Sequence, residues 1–249
     1  TLTGSERAGA AVAEIAGRHI KKSVLELGGN NAFLVLEDAD IDKAVKTAIT
    51  ARMLNGGQSC IAAKRFILVE GIYDEFVTKF TQALIKLKSG NPLDETTQVG
   101  PLARKDLADQ LHRQIEASVK LGAELLLGGH QQGCYHEPTI LGSVQPGMPA
   151  FDEETFGPLA AMIKARDIDH AFELSEQSRL GLGVTICTSN TALALTYADR
   201  VSDGAYFINE LVKSDPRLPF GGTKKSGYGR ELSKDGMMEF VNRKTVYVK

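Results

Sequence analysis

Two short segments of this chain carry residue types suited to covalent chemistry on a carbonyl group. Cys60 ends the run Asn55-Gly56-Gly57-Gln58-Ser59-Cys60, a glycine-rich bend that closes a predicted helix and leads into the strand-like Arg65 to Val69. A thiol at such a bend is within reach of a ligand, and the flexible backbone beside it can aim amide N–H groups at an oxygen that develops negative charge. Upstream lies Glu26-Leu27-Gly28-Gly29, a carboxylate at the end of an apolar stretch, where two glycines let the chain turn sharply while the side chain is held. An ordinary cysteine, with a pKa of about 8.5, is mostly protonated at neutral pH, so a nucleophilic Cys60 needs a base or local dipoles. A free glutamate titrates near about 4.3 and serves best as a base when burial raises it toward neutrality. Thiol and carboxylate form a nucleophile and base pair. The other two cysteines read as ordinary small hydrophobes: Cys187 lies in the strand-like Val184 to Thr188, and Cys134 follows a glycine-rich turn with no carboxylate motif beside it.

Four motifs follow one another in register: Glu26-Leu27-Gly28-Gly29, Gly57-Gln58-Ser59-Cys60, Glu153-Glu154-Thr155-Phe156-Gly157-Pro158, and Pro219-Phe220-Gly221-Gly222-Thr223-Lys224-Lys225-Ser226-Gly227. Together they resemble the aldehyde dehydrogenase superfamily, and the likeness runs from Thr3-Gly4-Ser5 to Thr245-Val246-Tyr247-Val248. The stretch Arg18 to Phe66 and the segment Ser214 to Phe220 are most similar to bacterial succinate-semialdehyde dehydrogenases.

The resemblance implies a mechanism and a set of contacts. The Cys60 thiolate adds to an aldehyde, hydride passes to a nicotinamide of NAD or NADP, and water activated by Glu26 hydrolyses the thioester left on Cys60. The oxyanion is held by the Cys60 N–H and by an asparagine amide from a part of the family's sequence that this chain lacks. Glu154 accepts hydrogen bonds from the nicotinamide ribose, for which two carboxylate oxygens are suited, and Phe156 packs beside the nicotinamide. Leu27 and Gly28 border the cofactor, while Ser5 and the helix start beside it receive a phosphate, because free N–H groups and the helix dipole favour an anion. Phe220 lines the aldehyde tunnel, and Ser214 and Arg217 hold a substrate carboxylate, arginine by a bidentate pair. One departure stands out: many succinate-semialdehyde dehydrogenases place an arginine six residues before the nucleophile, and Leu54 stands there here. The likeness also implies that residues 1–28 are the tail of a dinucleotide-binding domain, 29–235 the catalytic domain and 236–249 an oligomerisation segment of a homodimer or homotetramer. On that reading roughly the first half of a full-length enzyme precedes Thr1.

The elements that must position these residues are legible in the sequence pattern. Asp38 and Asp40 are candidate caps for a helix with Ile41, Val45, Ala48 and Ile49 at helical spacing, ending near Leu54 and delivering the Cys60 loop. Tyr73 to Lys88 and Asp106 to Leu121 are further helices. Strand-like Ala161 to Ala165, Val184 to Thr188 and Ala205 to Ile208 alternate with helical Asp169 to Ser178 and Ala192 to Val201. This alternation predicts an α/β fold, an open and mostly parallel sheet with helices on both faces. The terminal Thr245 to Lys249 is a lone β-branched segment that needs a partner edge.

A net charge of −2 gives no electrostatic argument for nucleic acid or an anionic membrane. No apolar run approaches the roughly 18 residues that span a bilayer, and three cysteines without metal-ligand spacing fit a reducing compartment, the cytoplasm. No metal is expected. Two other function classes compete with an NAD(P)-dependent dehydrogenase. A cysteine hydrolase or acyltransferase needs a histidine base, and His19, His112, His130, His136 and His170 have no arrangement that selects one. A noncatalytic module on the same fold leaves Cys60 and Glu26 without a purpose.

Overall fold

The computed structural model describes all of residues 1–249. The chain opens with β1 (Leu2–Thr3), α1 (Glu6–Arg18), β2 (Leu25–Glu26), β3 (Asn31–Val35) and α2 (Ile41–Met53). It continues through β4 (Ala63–Val69), α3 (Tyr73–Ile85), α4 (Lys105–Lys120) and β5 (Glu124–Leu127), then the small hairpin β6 (Gln131–Gln132) and β7 (Tyr135–His136). Next come β8 (Thr139–Gly142), α5 (Pro149–Asp152), β9 (Leu159–Ala165), α6 (Ile168–Glu176), β10 (Leu180–Gly181), β11 (Val184–Cys187) and α7 (Thr191–Thr196). The last elements are β12 (Tyr206–Ile208), β13 (Thr223–Lys224), β14 (Gly227–Tyr228) and α8 (Ser233–Met238).

Seven strands form one sheet in the order β12-β11-β3-β4-β9-β8-β5, parallel throughout except for the antiparallel edge strand β5. Successive side chains of a strand point to opposite faces, and both faces are covered. Phe33, Phe66, Leu68 and Met162 pack under α2 and α3 with Val45, Phe76 and Phe80. Leu34, Ile67 and Ile163 pack under α4, α6 and α7 with Leu111, Ile115, Phe172 and Ala194. The central strands are therefore continuous apolar runs, the pattern of a parallel sheet buried on both sides.

Several boundaries differ from the sequence expectation for local reasons. Asp40 alone caps α2, its carboxylate accepting from the Lys43 N–H at 3.1 Å. Asp38 instead accepts from Thr188 Oγ1 and the Asn190 N–H, tying the end of β11 to the loop before α2. The helix expected to reach Val201 stops at Thr196, with a single 3-10 turn at Ala198–Arg200. Thr245 to Lys249 forms no strand within this chain and its side chains are exposed, since no edge of the sheet pairs with it.

A buried guanidinium fixes the way α2 hands the chain to Cys60. After Met53 the backbone turns through left-handed residues Asn55, Gly56 and Gly57, with φ of 54°, 61° and 76°. Gly57 is obligatory twice over, because any Cβ there would also collide with the Gly157 carbonyl. Arg52, with no exposed surface, closes this turn: Nη2 donates to Gly57 O and Gly157 O at 2.7 Å each, and Nη1 donates to Ala63 O at 2.9 Å. Cys60 is thus bracketed on both sides by carbonyls held on one cation. Replacing Arg52 by Met should lower the unfolding free energy by about 3 kcal/mol or more, since the carbonyls of Gly57, Ala63, Thr155 and Gly157 each lose a hydrogen bond at once. Urea unfolding followed by circular dichroism measures this, and a midpoint equal to wild type would contradict it.

Candidate active site

Glu26 to Gly29, Cys60 and Glu154 all lie in segments that lead into strands, namely β3, β4 and β9. These strands are adjacent and parallel, so the segments feeding them emerge at one end of the sheet. That topology alone brings the three motifs together. In open α/β sheets ligands sit more often at the carboxyl ends of the strands. Here that end, between β3 and β11, holds a hollow of about 390 Å³ lined by Asp40, Lys43, Ala44, Thr47, Cys187 and Asn209. Its polar groups are engaged with one another: Asn209 is doubly bonded to Thr188, and Lys43 is paired with Asp40.

Contact between the segments is close. A Cβ on Gly29 would collide with the Cys60 carbonyl, and one on Gly28 with Glu154 Oε2. The glycines that follow Glu26 let this turn lie against both the nucleophile loop and the acidic turn. Gly221 presses on the other side, where a Cβ would stand 2.9 Å from Glu26 Oε1. The Glu26 strand is held by the same C-terminal motif: β14 pairs with β2 at Gly227 and Glu26, and the buried Ser226 donates to Gly28 O at 2.6 Å.

Glu26 is 3% exposed, and neither carboxylate oxygen has a hydrogen-bond partner. Burial pushes its pKa up to about 7, assisted by the negative charge of Glu231 and opposed by Arg230. A buried polar group left without partners calls for an explanation, and a carboxyl poised near neutrality is what a general base requires.

Cys60 is half-buried. Burial raises its thiol pKa, while Lys64 and the Ile61 N–H lower it and Glu154 and Glu26 raise it. The charged groups that act on the thiol are thus a lysine and two carboxylates. Cys187 is fully buried, its thiol pushed up to about 12.

Glu154 is half-buried at the edge of this cluster. Its Oε1 accepts from the Gly29 N–H at 3.0 Å and lies 3.4 Å from Lys64 Nζ, leaving Oε2 facing Gly28. Phe156 is half-buried two residues on, and Leu27 is buried, its side chain filling the space beside Gly9 of α1. Ser5 is the N-cap of α1, where its hydroxyl accepts from the Ala8 N–H at 3.3 Å. Phe220 is half-buried and bonded through its backbone to Glu231, next to the Gly221 that touches Glu26. Arg217 is 84% exposed in its side chain and its fork is already spent on Asp215, at 2.9 and 2.6 Å. Ser214 is exposed on the same loop. A substrate carboxylate bound by Arg217 must displace Asp215.

Sequence reasoning missed Lys64, Arg52 and Arg65, all fully buried at this end of the sheet. Arg65 donates to Asn30 O, Leu174 O and Ser175 O at 2.8 to 3.0 Å, and its guanidinium lies over the Phe151 ring. The signal was present: two consecutive cations at the head of an apolar strand must either face water or be held by backbone carbonyls.

Glu26 also sets a pH dependence of stability. A carboxyl raised from 4.5 to about 7 stays protonated in the folded chain while it ionises in the unfolded one. Its contribution is therefore fully present below about pH 4.5 and lost as pH rises through 7. Relative to Glu26→Gln, the wild type should lose about 1–2 kcal/mol between those limits and then level off. Parallel urea titrations from pH 4.5 to 8 check this, and a constant difference between the two proteins would contradict it.

Comparison with known proteins accords with this arrangement. A model of the aldehyde dehydrogenase family matches residues 1–246. The succinate semialdehyde dehydrogenase [NAD(P)+] Sad of Escherichia coli is 51% identical over 99% of this chain and 54% of its own length. The succinate-semialdehyde dehydrogenase [NADP(+)] of Mycobacterium avium is 47% identical over 100% of the chain and 53% of its own length. The crystal structure of succinic semialdehyde dehydrogenase from Streptococcus pyogenes in complex with NADP+ superposes with a TM-score of 0.96 at 41% identity, covering 99% of this chain and 55% of that one. The chain spans about half the length of the curated relatives it matches.

Proposed function

The chain belongs to the aldehyde dehydrogenase family, and from that premise we propose that its protein oxidises an aldehyde, with succinate semialdehyde as substrate, to the carboxylic acid using NAD or NADP. The observation that carries this reading is Glu26, a buried and unpartnered carboxyl raised to about 7 at the same sheet end as Cys60. The substrate follows from the names of the relatives, which are succinate-semialdehyde dehydrogenases.

In this reading the Cys60 sulfur bonds to the aldehyde carbon and the carbonyl electrons move to oxygen. The Cys60 N–H, which has no acceptor within the chain, faces that developing charge. Removing one such donor typically costs about 3 to 4 kcal/mol of transition-state stabilisation. With loss of hydride from the aldehyde carbon to the nicotinamide that would bind here, a thioester would remain on Cys60; Glu26 then takes a proton from water, the water oxygen attacks the thioester carbon, and the sulfur leaves as thiolate. A buried carboxyl near neutrality suits this step, being ionised often enough to accept the proton yet basic enough to hold it. The residues around Gly28 fit a nicotinamide nucleotide: the turn has no side chain to obstruct close approach, and Glu154 keeps one carboxylate oxygen free of the pairings that occupy the other. Bound there, the nicotinamide supplies the hydride acceptor for the oxidation, with Glu154 holding its ribose hydroxyls, Phe156 and Leu27 bordering it, and Ser5 at the phosphate end. Phe220 would border the aldehyde, with Ser214 and Arg217 nearest its distal carboxylate.

The same proposal covers organisation. Residues 29–235 form the catalytic domain, 1–28 join it to the cofactor side, and 236–249 meet another subunit of a homodimer or homotetramer. The exposed Val246, Tyr247 and Val248 support that last assignment, since a solvated apolar strand-former gains by pairing.

The experiment is acyl-enzyme trapping. With succinate semialdehyde and NADP+, the intact protein carrying Glu26→Gln should accumulate a succinyl thioester on the peptide bearing Cys60, with turnover reduced about a hundredfold or more. Cys60→Ser should form no adduct. An acyl group on Cys134, or turnover undiminished by Glu26→Gln, would contradict the assignment.

A further inference from the structure

Lys64 is the second residue of β4, and the sequence gives it no role. In the pairing of β3 with β4, Asn31 is opposite Ala63 and Ala32 is opposite Arg65. Lys64 is the extra residue of a β-bulge between them. Such bulges re-aim a side chain and occur next to active sites. Here the bulge turns a fully buried lysine back toward the loop that precedes its own strand. Its ammonium donates to Ser59 O and Cys60 O, both at 2.9 Å, and lies 3.4 Å from Glu154 Oε1. Two hydrogen bonds and one ion pair therefore compensate the buried cation.

The choice of carbonyls is informative. In a planar trans peptide the C=O and the N–H point in opposite directions. Holding Ser59 O fixes the peptide plane whose N–H belongs to Cys60. Holding Cys60 O fixes the next plane, whose N–H belongs to Ile61 and acts on the Cys60 thiol. A positive charge on each carbonyl also polarises the N–H at the far side of the same peptide unit. Lys64 therefore grips the two peptide units that flank the sulfur, from behind.

We propose that Lys64 is a positioning residue for the thiol chemistry: its ammonium locks and polarises the peptide units on either side of Cys60 and ties them to Glu154. One cation thereby couples the nucleophile loop to the carboxylate on the cofactor side. The inference rests on the reading of Cys60 as the nucleophile. It predicts an electrostatic signature that a packing role would lack. Loss of Lys64 removes the stabilising charge and leaves Glu154 uncompensated beside the thiol, so the thiolate is disfavoured twice. Removing the Glu154 charge as well should restore part of the loss.

The test is the pH dependence of Cys60 alkylation by iodoacetamide, followed by peptide mapping in a Cys134→Ser background. Burial lowers the Lys64 pKa to about 8, so Lys64→Met should label about tenfold more slowly than wild type at a fixed pH below 8, where the wild-type ammonium is charged, and the two profiles should converge above it. Lys64→Met combined with Glu154→Gln should label several-fold faster than Lys64→Met alone. Lys64→Gln, which keeps two donors but no charge, should shift the same way with a native circular dichroism spectrum, and it decides the matter if the Met variant does not fold. Profiles of Lys64→Met or Lys64→Gln that overlay the wild type would overturn the proposal, as would a double variant slower than the single one. In the chain without the Cys134→Ser substitution, a Cys60 that resists alkylation while Cys134 labels would instead overturn the nucleophile reading, and this inference with it.

Discussion

The arrangement of the site depends on a guanidinium that never reaches water. Arg52 holds the carbonyls of Gly57, Ala63 and Gly157, one on each side of Cys60 and one on the turn that follows Glu154. A buried cation is costly unless its donors are engaged, and backbone carbonyls engage both terminal nitrogens of Arg52 without adding a titratable partner, leaving only Nε unbonded. The arrangement also explains why the bend must be Gly56-Gly57. The left-handed turn exposes carbonyls to the arginine, and at Gly57 the approach to Gly157 leaves no room for a side chain. Helix, bend, strand and acidic turn are thus one mechanical unit, and Lys64 repeats the device a few ångströms away on the carbonyls of Ser59 and Cys60.

The parallel sheet supplies the rest. Because β3, β4 and β9 run side by side in one direction, the segments before them converge whatever their separation in sequence. The helices on both faces bury the strands and make the platform stiff. The mobile chemistry is left to short segments at the rim, each anchored by glycine contacts or by a buried cation. Glu26 is the exception that defines the site: its backbone is fixed by β2 and β14, yet its carboxylate is given nothing to bond to.

The fold class was legible because strands and helices alternate with the correct periods; α2, α3, α4 and α6 were placed to within a few residues, whereas α7 ends five residues before the expected Val201 and the short α5 and α8 were not anticipated. The pattern did not reveal β3, β5 or β8. Asn31 to Val35 and Thr139 to Gly142 are short runs buried on both faces, so they lack the period of two that marks a half-exposed strand, and β5 is a short edge strand. Cys60 and Glu26 stood out in the sequence because of the glycine-rich turns beside them, and the structure brings both to one end of the sheet. The burial of Arg52 and Arg65 was not legible, because it depends on carbonyls more than a hundred residues away, and that of Lys64 was not because its nearby carbonyls are reached only through the bulge in β4. The pairing of the Arg217 fork with Asp215 was equally out of reach of the pattern, although the two residues are only two apart.

The proposed chemistry of the site turns on the state of one carboxyl group, because a Glu26 that titrates like an exposed glutamate has neither the burial nor the basicity assigned to it. Its titration can be read directly from the side-chain carboxyl carbon in ¹³C-glutamate-labelled protein, with the resonance assigned by its absence in Glu26→Gln. The structure predicts a midpoint near about 7, where burial and Glu231 place it. A midpoint near the ordinary value of about 4.3 would mean that Glu26 is hydrated and free, and would contradict its role as the base of this site.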